Sequence, residues 1–138
     1  MAVAIVSDTC HYLPGELVSA YSVHEVSLYI HWPEGAQRES EISDYAAYYK
    51  RLGSEAELPT TSQPSIGDFL EVYEPLLDAG HEIVSIHLAG GMSGTVGSAQ
   101  QARDQLGDRA SRVFVFDSAT ACGGEGLVIM AAAAAVRG

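Results

Sequence analysis

The amino-acid sequence predicts an α/β fold, a three-layer α/β/α domain built on a mostly parallel sheet. Two observations carry that reading. Apolar, β-branched runs at Ala2 to Val6, Ile83 to Leu88 and Arg112 to Phe116 suit strands covered on both faces. Between them lie segments with apolar residues at helical spacing, so strands and helices alternate almost throughout. The chain has 138 residues, the length of one domain. Such a chain buries roughly 70% of its unfolded surface and needs no disulfide or metal to fold.

The elements follow in order. Ala2 to Val6 is a first strand, bounded by Ser7-Asp8-Thr9. Pro14, followed by Glu16, Leu17, Val18 and Ala20, opens a helix with proline in its first turn. His24 to Ile30 alternates as a second strand and ends on the turn Trp32-Pro33-Glu34-Gly35, with Gln37 to Glu39 as a brief return strand. Ser43 begins a helix with Tyr45, Tyr48, Tyr49 and Leu52 on one face, stopped by Gly53. Leu58 to Ser65 is a loop with two prolines and four hydroxyl residues. Ser65 caps the next helix with Asp68 at its third position, while Pro75 should bend or shorten it and Gly80 closes it. After the run at Ile83 comes a helix over Val96 to Leu106, then the strand at Arg112 to Phe116. Gly123-Gly124-Glu125-Gly126 leads into an alanine-rich last helix.

Eighteen acidic and seven basic residues leave a net charge of −11. That disfavours nucleic acid, whose phosphates need Lys and Arg, and adsorption to an anionic membrane. Leu127 to Val136 is apolar but about half a membrane span, so no insertion is expected. The first residues lack the basic start of a secretory signal. Cys10 and Cys122 form no Cys-x-x-Cys unit and read as small buried residues of a reduced, cytoplasmic protein.

The stretch Ile83 to Thr95 draws the most attention. A buried strand turns on Gly90-Gly91 into a helix with Ser93-Gly94-Thr95 at its start, a setting in which free N–H groups and the helix dipole favour an anion. Ligands of open α/β sheets bind beyond the C-terminal strand ends. Ser7-Asp8-Thr9, Gly91 to Thr95 and Asp117-Ser118 should therefore share one edge, with the Thr60–Ser65 loop able to fold over it. Ser93 also stands as a helix N-cap. Gly91-Met92-Ser93-Gly94-Thr95 nearly matches a nucleophile elbow, but every histidine precedes Ser93, against the hydrolase order. Asp8 and Asp117, read as ending adjacent strands, suit a paired acid/base site less well than loop capping. No histidines or cysteines have metal-ligand spacing, and Gly123 to Gly126 lacks the Gly-Lys-Ser/Thr ending of a phosphate loop.

Four motifs resemble the N-terminal domain of the DegV family, the bacterial fatty-acid-binding group. They are Ser7-Asp8-Thr9-Cys10 with Leu13-Pro14, Thr61-Ser62-Gln63-Pro64-Ser65, Met92-Ser93-Gly94-Thr95 with Ser98-Ala99, and Asp117-Ser118 followed by Gly124 and Gly126. They occur in family order over essentially the whole chain. The chain departs from the family pattern at Ala89-Gly90, where two serines are usual, and at Tyr12, Ser27 and Cys122.

The resemblance implies a non-catalytic carrier that holds a long-chain fatty acid, in some members for a fatty-acid kinase. Its carboxylate would be held by Thr61 and Ser93, helped by the N–H groups of Ser93 and Gly94, with Ser62 beside them. Leu28 and Ile66 are expected to touch the acyl chain. No catalytic residue, metal or cofactor is expected. The family's second domain is expected to be absent from residues 1–138. Two alternatives stay open: a small transferase or hydrolase using Ser93 and Asp117, and a ligand-free interaction domain.

Overall fold

In the computed structural model, which describes residues 2–138, the chain forms seven strands and five α-helices among the described residues. In chain order they are β1 (Val3–Asp8), α1 (Gly15–Ala20), β2 (Val23–Val26), β3 (Tyr29–Trp32), β4 (Gly35–Arg38), α2 (Tyr45–Ser54), β5 (Thr60–Ser62), α3 (Ile66–Asp78), β6 (Glu82–His87), α4 (Thr95–Asp104), β7 (Val113–Asp117) and α5 (Gly123–Arg137). Four strands make a parallel sheet in the order β2-β1-β6-β7, and β4-β3-β5 make a small antiparallel one.

Alternation along the buried strands sorts the core into two layers. Val6 and Ile83 face Phe69, Tyr73 and Leu77 of α3 and Ala99 and Ala102 of α4. Ile5 and Ile86 face Ile129 and Ala133 of α5, with Leu13 and Val18 packed against that cluster. The three-layer α/β/α reading is therefore what the chain adopts. Because β1, β6 and β7 are parallel, Asp8, His87 and Asp117 all end on the same edge.

Several local expectations need correction. The predicted strand His24 to Ile30 is two strands in different sheets. At the break, Leu28 N–H donates to Thr9 Oγ1 (3.2 Å), and Ser27 Oγ both donates to Leu28 O (2.8 Å) and accepts from Ser40 N–H (3.0 Å). Two hydroxyls thus satisfy backbone groups where the chain changes sheets. The predicted loop around Thr61 is partly strand, since Thr60–Ser62 pairs with Tyr29–His31. Asp44, rather than Ser43, caps α2. Pro75 does not end α3, which runs on to Asp78; Pro75 and Glu71, whose carbonyl loses its partner, are both exposed. Ser65 and Asp68 form the predicted reciprocal cap, at 3.0 Å and 2.9 Å. Asp8 and Asp117 do not end adjacent strands, because β6 lies between theirs. Cys10 is half-buried and Cys122 exposed, so the reading of two buried thiols fails.

Candidate functional site

Two different arrangements occupy the C-terminal edge of the parallel sheet. The first is buried, and the sequence reading missed it. Tyr73 donates its hydroxyl to Ser85 Oγ (2.6 Å), and Ser85 Oγ lies 2.6 Å from His87 Nε2. His87 Nδ1 meets Asp8 Oδ2 at 3.1 Å. Tyr73, Ser85, His87 and Asp8 thus form one continuous buried chain of hydrogen bonds. Asp8 also accepts from Leu88 N–H (3.0 Å) and Cys10 N–H (2.8 Å). Burial alone would raise its pKa, but the His87 hydrogen bond and charge, together with Glu125 and Leu88, hold it below the usual carboxylate range.

Glu125, in the first turn of α5, completes this chain. Ser7 Oγ donates to its Oε1 at 3.1 Å, and Oε2 is buried without a conventional partner. Burial first, and the neighbouring Asp8 carboxylate second, push its pKa up to about 9. Both effects favour the protonated acid over the carboxylate. The Ser85–His87–Asp8 connectivity has the form of a catalytic triad. All three side chains are 0% exposed, so no substrate reaches the hydroxyl in this conformation.

The second arrangement is open. After Leu88 the chain turns through Ala89 to Gly94, with Met92 N–H and Ser93 N–H both donating to Ala89 O, at 2.9 Å and 3.2 Å. The Ser93 amide is therefore engaged within the turn and is not a free donor as expected. Gly94 is the capping residue of α4, and Ser93 precedes it. Half-buried Ser93 lies 2.8 Å from Thr95 Oγ1 and accepts from Thr95 N–H at 3.2 Å. Gly90 N–H donates to Asp117 Oδ2 (3.1 Å) and Ala119 N–H to Asp117 Oδ1 (2.9 Å), so Asp117 shapes the loops rather than facing Ser93 as a base.

Thr61 is exposed on β5, and Gln63, two residues further on, packs against this turn. A Cβ on Gly94 would stand 2.9 Å from Gln63 Nε2, so the amide lies flat against that glycine. Ser62 Oγ is held 2.7 Å from His31 Nε2 across the small sheet. Leu28 is half-buried at the sheet change. Ile66 opens α3, partly buried against the α3–α4 core, which leaves only part of it for a ligand.

A cleft of about 840 Å³ lies along the same side of the molecule, between the turn after β1 and the start of α2. Its lining includes Leu13, Val18, Ile42, Tyr12, Tyr45 and Tyr49, and none of Thr61, Ser93, Leu28 or Ile66. Among the described residues, no three His, Cys, Asp or Glu side chains gather as metal ligands. Among them too, no helix is long and apolar enough to cross a membrane.

Comparison with known proteins places this geometry. A family model described as "Uncharacterised protein, DegV family" matches residues 2–138. Protein DegV of Bacillus subtilis is 35% identical over 137 residues, which are 99% of this chain and 48% of that protein. A solved structure described as DegV, a fatty acid binding protein from Bacillus subtilis, superposes with a TM-score of 0.89 at 34% identity, covering 99% of this chain and 48% of the other. Another, described as showing fatty acid binding of a DegV family protein from Thermus thermophilus, gives 0.88 at 31% identity, with 99% and 48% covered. The chain spans about half the length of these relatives.

Proposed function

The chain belongs to the DegV family, and from that premise we propose that it binds the carboxylate end of a long-chain fatty acid without catalysing a reaction. Thr61 and Ser93 are the hydrogen-bond donors of this reading, with the Gly94 amide and the N-terminus of α4 behind them. The observation that carries it is the open turn after β6. There a half-buried serine precedes the start of α4, and Gln63, two residues after the exposed Thr61, packs against Gly94. The fatty acids named for the relatives from Bacillus subtilis and Thermus thermophilus support the choice of anion.

An acid head group suits this edge because a chain of net charge −11 must meet it with neutral donors. Ser62, fixed by His31, orients the threonine strand. Leu28 and Ile66 would touch the acyl chain, whose methylenes each contribute about 0.8 kcal/mol when buried. A second domain of the kind that fills the other half of the relatives would cover the rest of the tail, and a fatty-acid kinase would receive the held head group. Ser85, His87 and Asp8 have a structural role in this reading.

Native mass spectrometry of the purified chain, with and without added oleate, tests the proposal. A bound C16–C18 acid supports it. Oleate that binds wild type and a Thr61→Ala/Ser93→Ala double variant equally would show that the carboxylate lies elsewhere.

A further inference from the structure

The cleft between the turn after β1 and the start of α2 holds about 840 Å³, a volume usual for small-molecule sites, and takes no part in the fatty-acid reading. Its walls combine two kinds of side chain. Leu13, Val18 and Ile42 are apolar, whereas Tyr12, Tyr45 and Tyr49 bring aromatic rings, with the carboxyls of Glu25 and Glu39 beside them. Among the described residues, no lysine or arginine lines it. The rings of Tyr12 and Tyr45 stand 6.3 Å apart at 85°, and Tyr49 lies 6.3 Å from Tyr45, so the three form a corner rather than a flat stack. Tyr48 braces them, edge-on to Tyr45, to Tyr49 and to Trp32. The Arg51 guanidinium lies over Trp32 at 3.7 Å and pairs with Glu55 at 3.0 Å, so that cation is engaged outside the cleft.

The two carboxyls accept hydrogen bonds but meet no basic side chain in the cleft. Tyr12 donates its hydroxyl to Glu39 Oε2 at 2.7 Å, while Glu39 Oε1 has no hydrogen-bond partner among the described residues. Burial first, and the bond to Glu39 second, hold the Tyr12 pKa above the usual phenol range, so the tyrosine stays a donor. His11, itself buried, accepts Leu13 N–H at Nδ1 (2.9 Å), which puts its ring hydrogen on Nε2, 2.8 Å from Glu25 Oε1. Carboxyls beside aromatic rings, with an apolar wall opposite and no fixed cation, suit a positively charged organic guest. We propose that this cleft binds an organic ammonium ion, its charged head among the tyrosines beside Glu39 and its apolar body on Leu13, Val18 and Ile42. The same carboxyls repel an acid head group, so ligands of opposite charge take separate places on this side of the molecule. The site stands whether or not Thr61 and Ser93 hold a fatty acid.

Calorimetric titration of the intact 138-residue chain with hexyltrimethylammonium tests this, in about 0.3 M salt to screen the net charge of −11. Uncharged hexan-1-ol is the comparison. The ammonium should bind saturably and about tenfold more tightly than the alcohol, and its N-methyl protons should shift upfield in NMR spectra as the rings enclose them. Glu39→Gln keeps an acceptor for Tyr12, and Tyr49→Ala lies at an exposed position; each should weaken binding about three- to tenfold. Glu57→Gln, an exposed carboxyl that does not line the cleft, should bind as wild type does, and so should the Thr61→Ala/Ser93→Ala variant. Four results overturn the proposal: no saturable binding, equal binding of hexan-1-ol, an affinity unmoved by Glu39→Gln and Tyr49→Ala, or oleate competing for the cleft, which would give it to an acyl chain.

Discussion

Ser85 and Ser93 belong to the same strand–turn–helix unit but have opposite surroundings. Ser85 sits in a hydrogen-bond chain with a histidine and an aspartate, the neighbours that activate a serine in hydrolases, and is sealed from solvent. Ser93 has only Thr95 beside it and stands at an open turn. Of the two, the better-wired serine is a piece of the core, and the poorly wired one is where a ligand can arrive. Connectivity alone therefore does not mark a reactive site; access decides what a hydroxyl can do. The buried chain fixes the end of β6, because Leu88 N–H is bonded to Asp8 just before the chain turns outward.

The largest expected effect comes from removing the acceptor at the centre of the buried chain. Asp8→Ala leaves His87 Nδ1, Leu88 N–H and Cys10 N–H without a partner, and should cost roughly 3–5 kcal/mol in urea unfolding. A loss below about 1 kcal/mol would mean that water replaces the carboxylate, and that the region is less closed than Ser85 requires.

Next comes the proton on Glu125. Its pKa lies near 9 in the folded protein against 4.5 for the free group, so across that interval the native state holds a proton that the unfolded state has lost. This contribution is complete below 4.5 and fades as pH rises toward 9, by no more than about 1.4 kcal/mol per pH unit. Glu125→Gln keeps the shape of the side chain and removes the titration. Melting temperatures from pH 5 to 9 should fall more steeply for wild type than for the variant, and parallel curves would place the proton elsewhere.

A smaller effect is expected in the open region. Gly90 occupies a position where the family pattern has a serine, and a Cβ there would lie 2.9 Å from Asp117 Oδ2 and 3.0 Å from Val96 Cγ1. Gly90→Ser must push the Asp117 side chain aside and weaken its bond to the Gly90 amide, at a cost of about 1–2 kcal/mol by thermal unfolding. A neutral result would show that the turn adapts, and that Asp117 does not set its shape.

The layers of the fold were legible because burial on two faces imprints continuous apolar runs at Ala2 to Val6 and Ile83 to Leu88, while Ser65 and Asp68 announce a helix start. The sheet change at Ser27-Leu28 was not, since no glycine or proline interrupts the alternation there; side-chain hydroxyls from Thr9 and Ser27 do the work instead. The buried chain was hidden for a different reason. Ser7, Asp8, His87 and Glu125 look individually like surface residues, and only the tertiary fold brings Ser7 to Glu125, 118 positions apart. The open turn was legible as glycine and hydroxyl spacing, but the engagement of the Ser93 amide by Ala89 was not.

Thr61→Ala should have the smallest effect on stability and separates the two regions most sharply. Thr61 is exposed on a three-residue edge strand, and its backbone pairing with Ile30 does not depend on the side chain. Surface changes of this kind shift stability by about 0.5 kcal/mol or less, so the unfolding curve should overlay that of wild type. Ser93→Ala also removes the acceptor for Thr95 N–H and should cost about 1 kcal/mol, which makes it the less clean probe. If Thr61 donates to a carboxylate, the threonine variant alone should weaken oleate binding about tenfold, the value of one charge-assisted hydrogen bond. Fluorescence competition with a labelled fatty acid reads that change. Weakened binding with an unshifted melt assigns the hydroxyl to the ligand, whereas a shifted melt with unchanged binding would make Thr61 one more structural hydroxyl like Ser85.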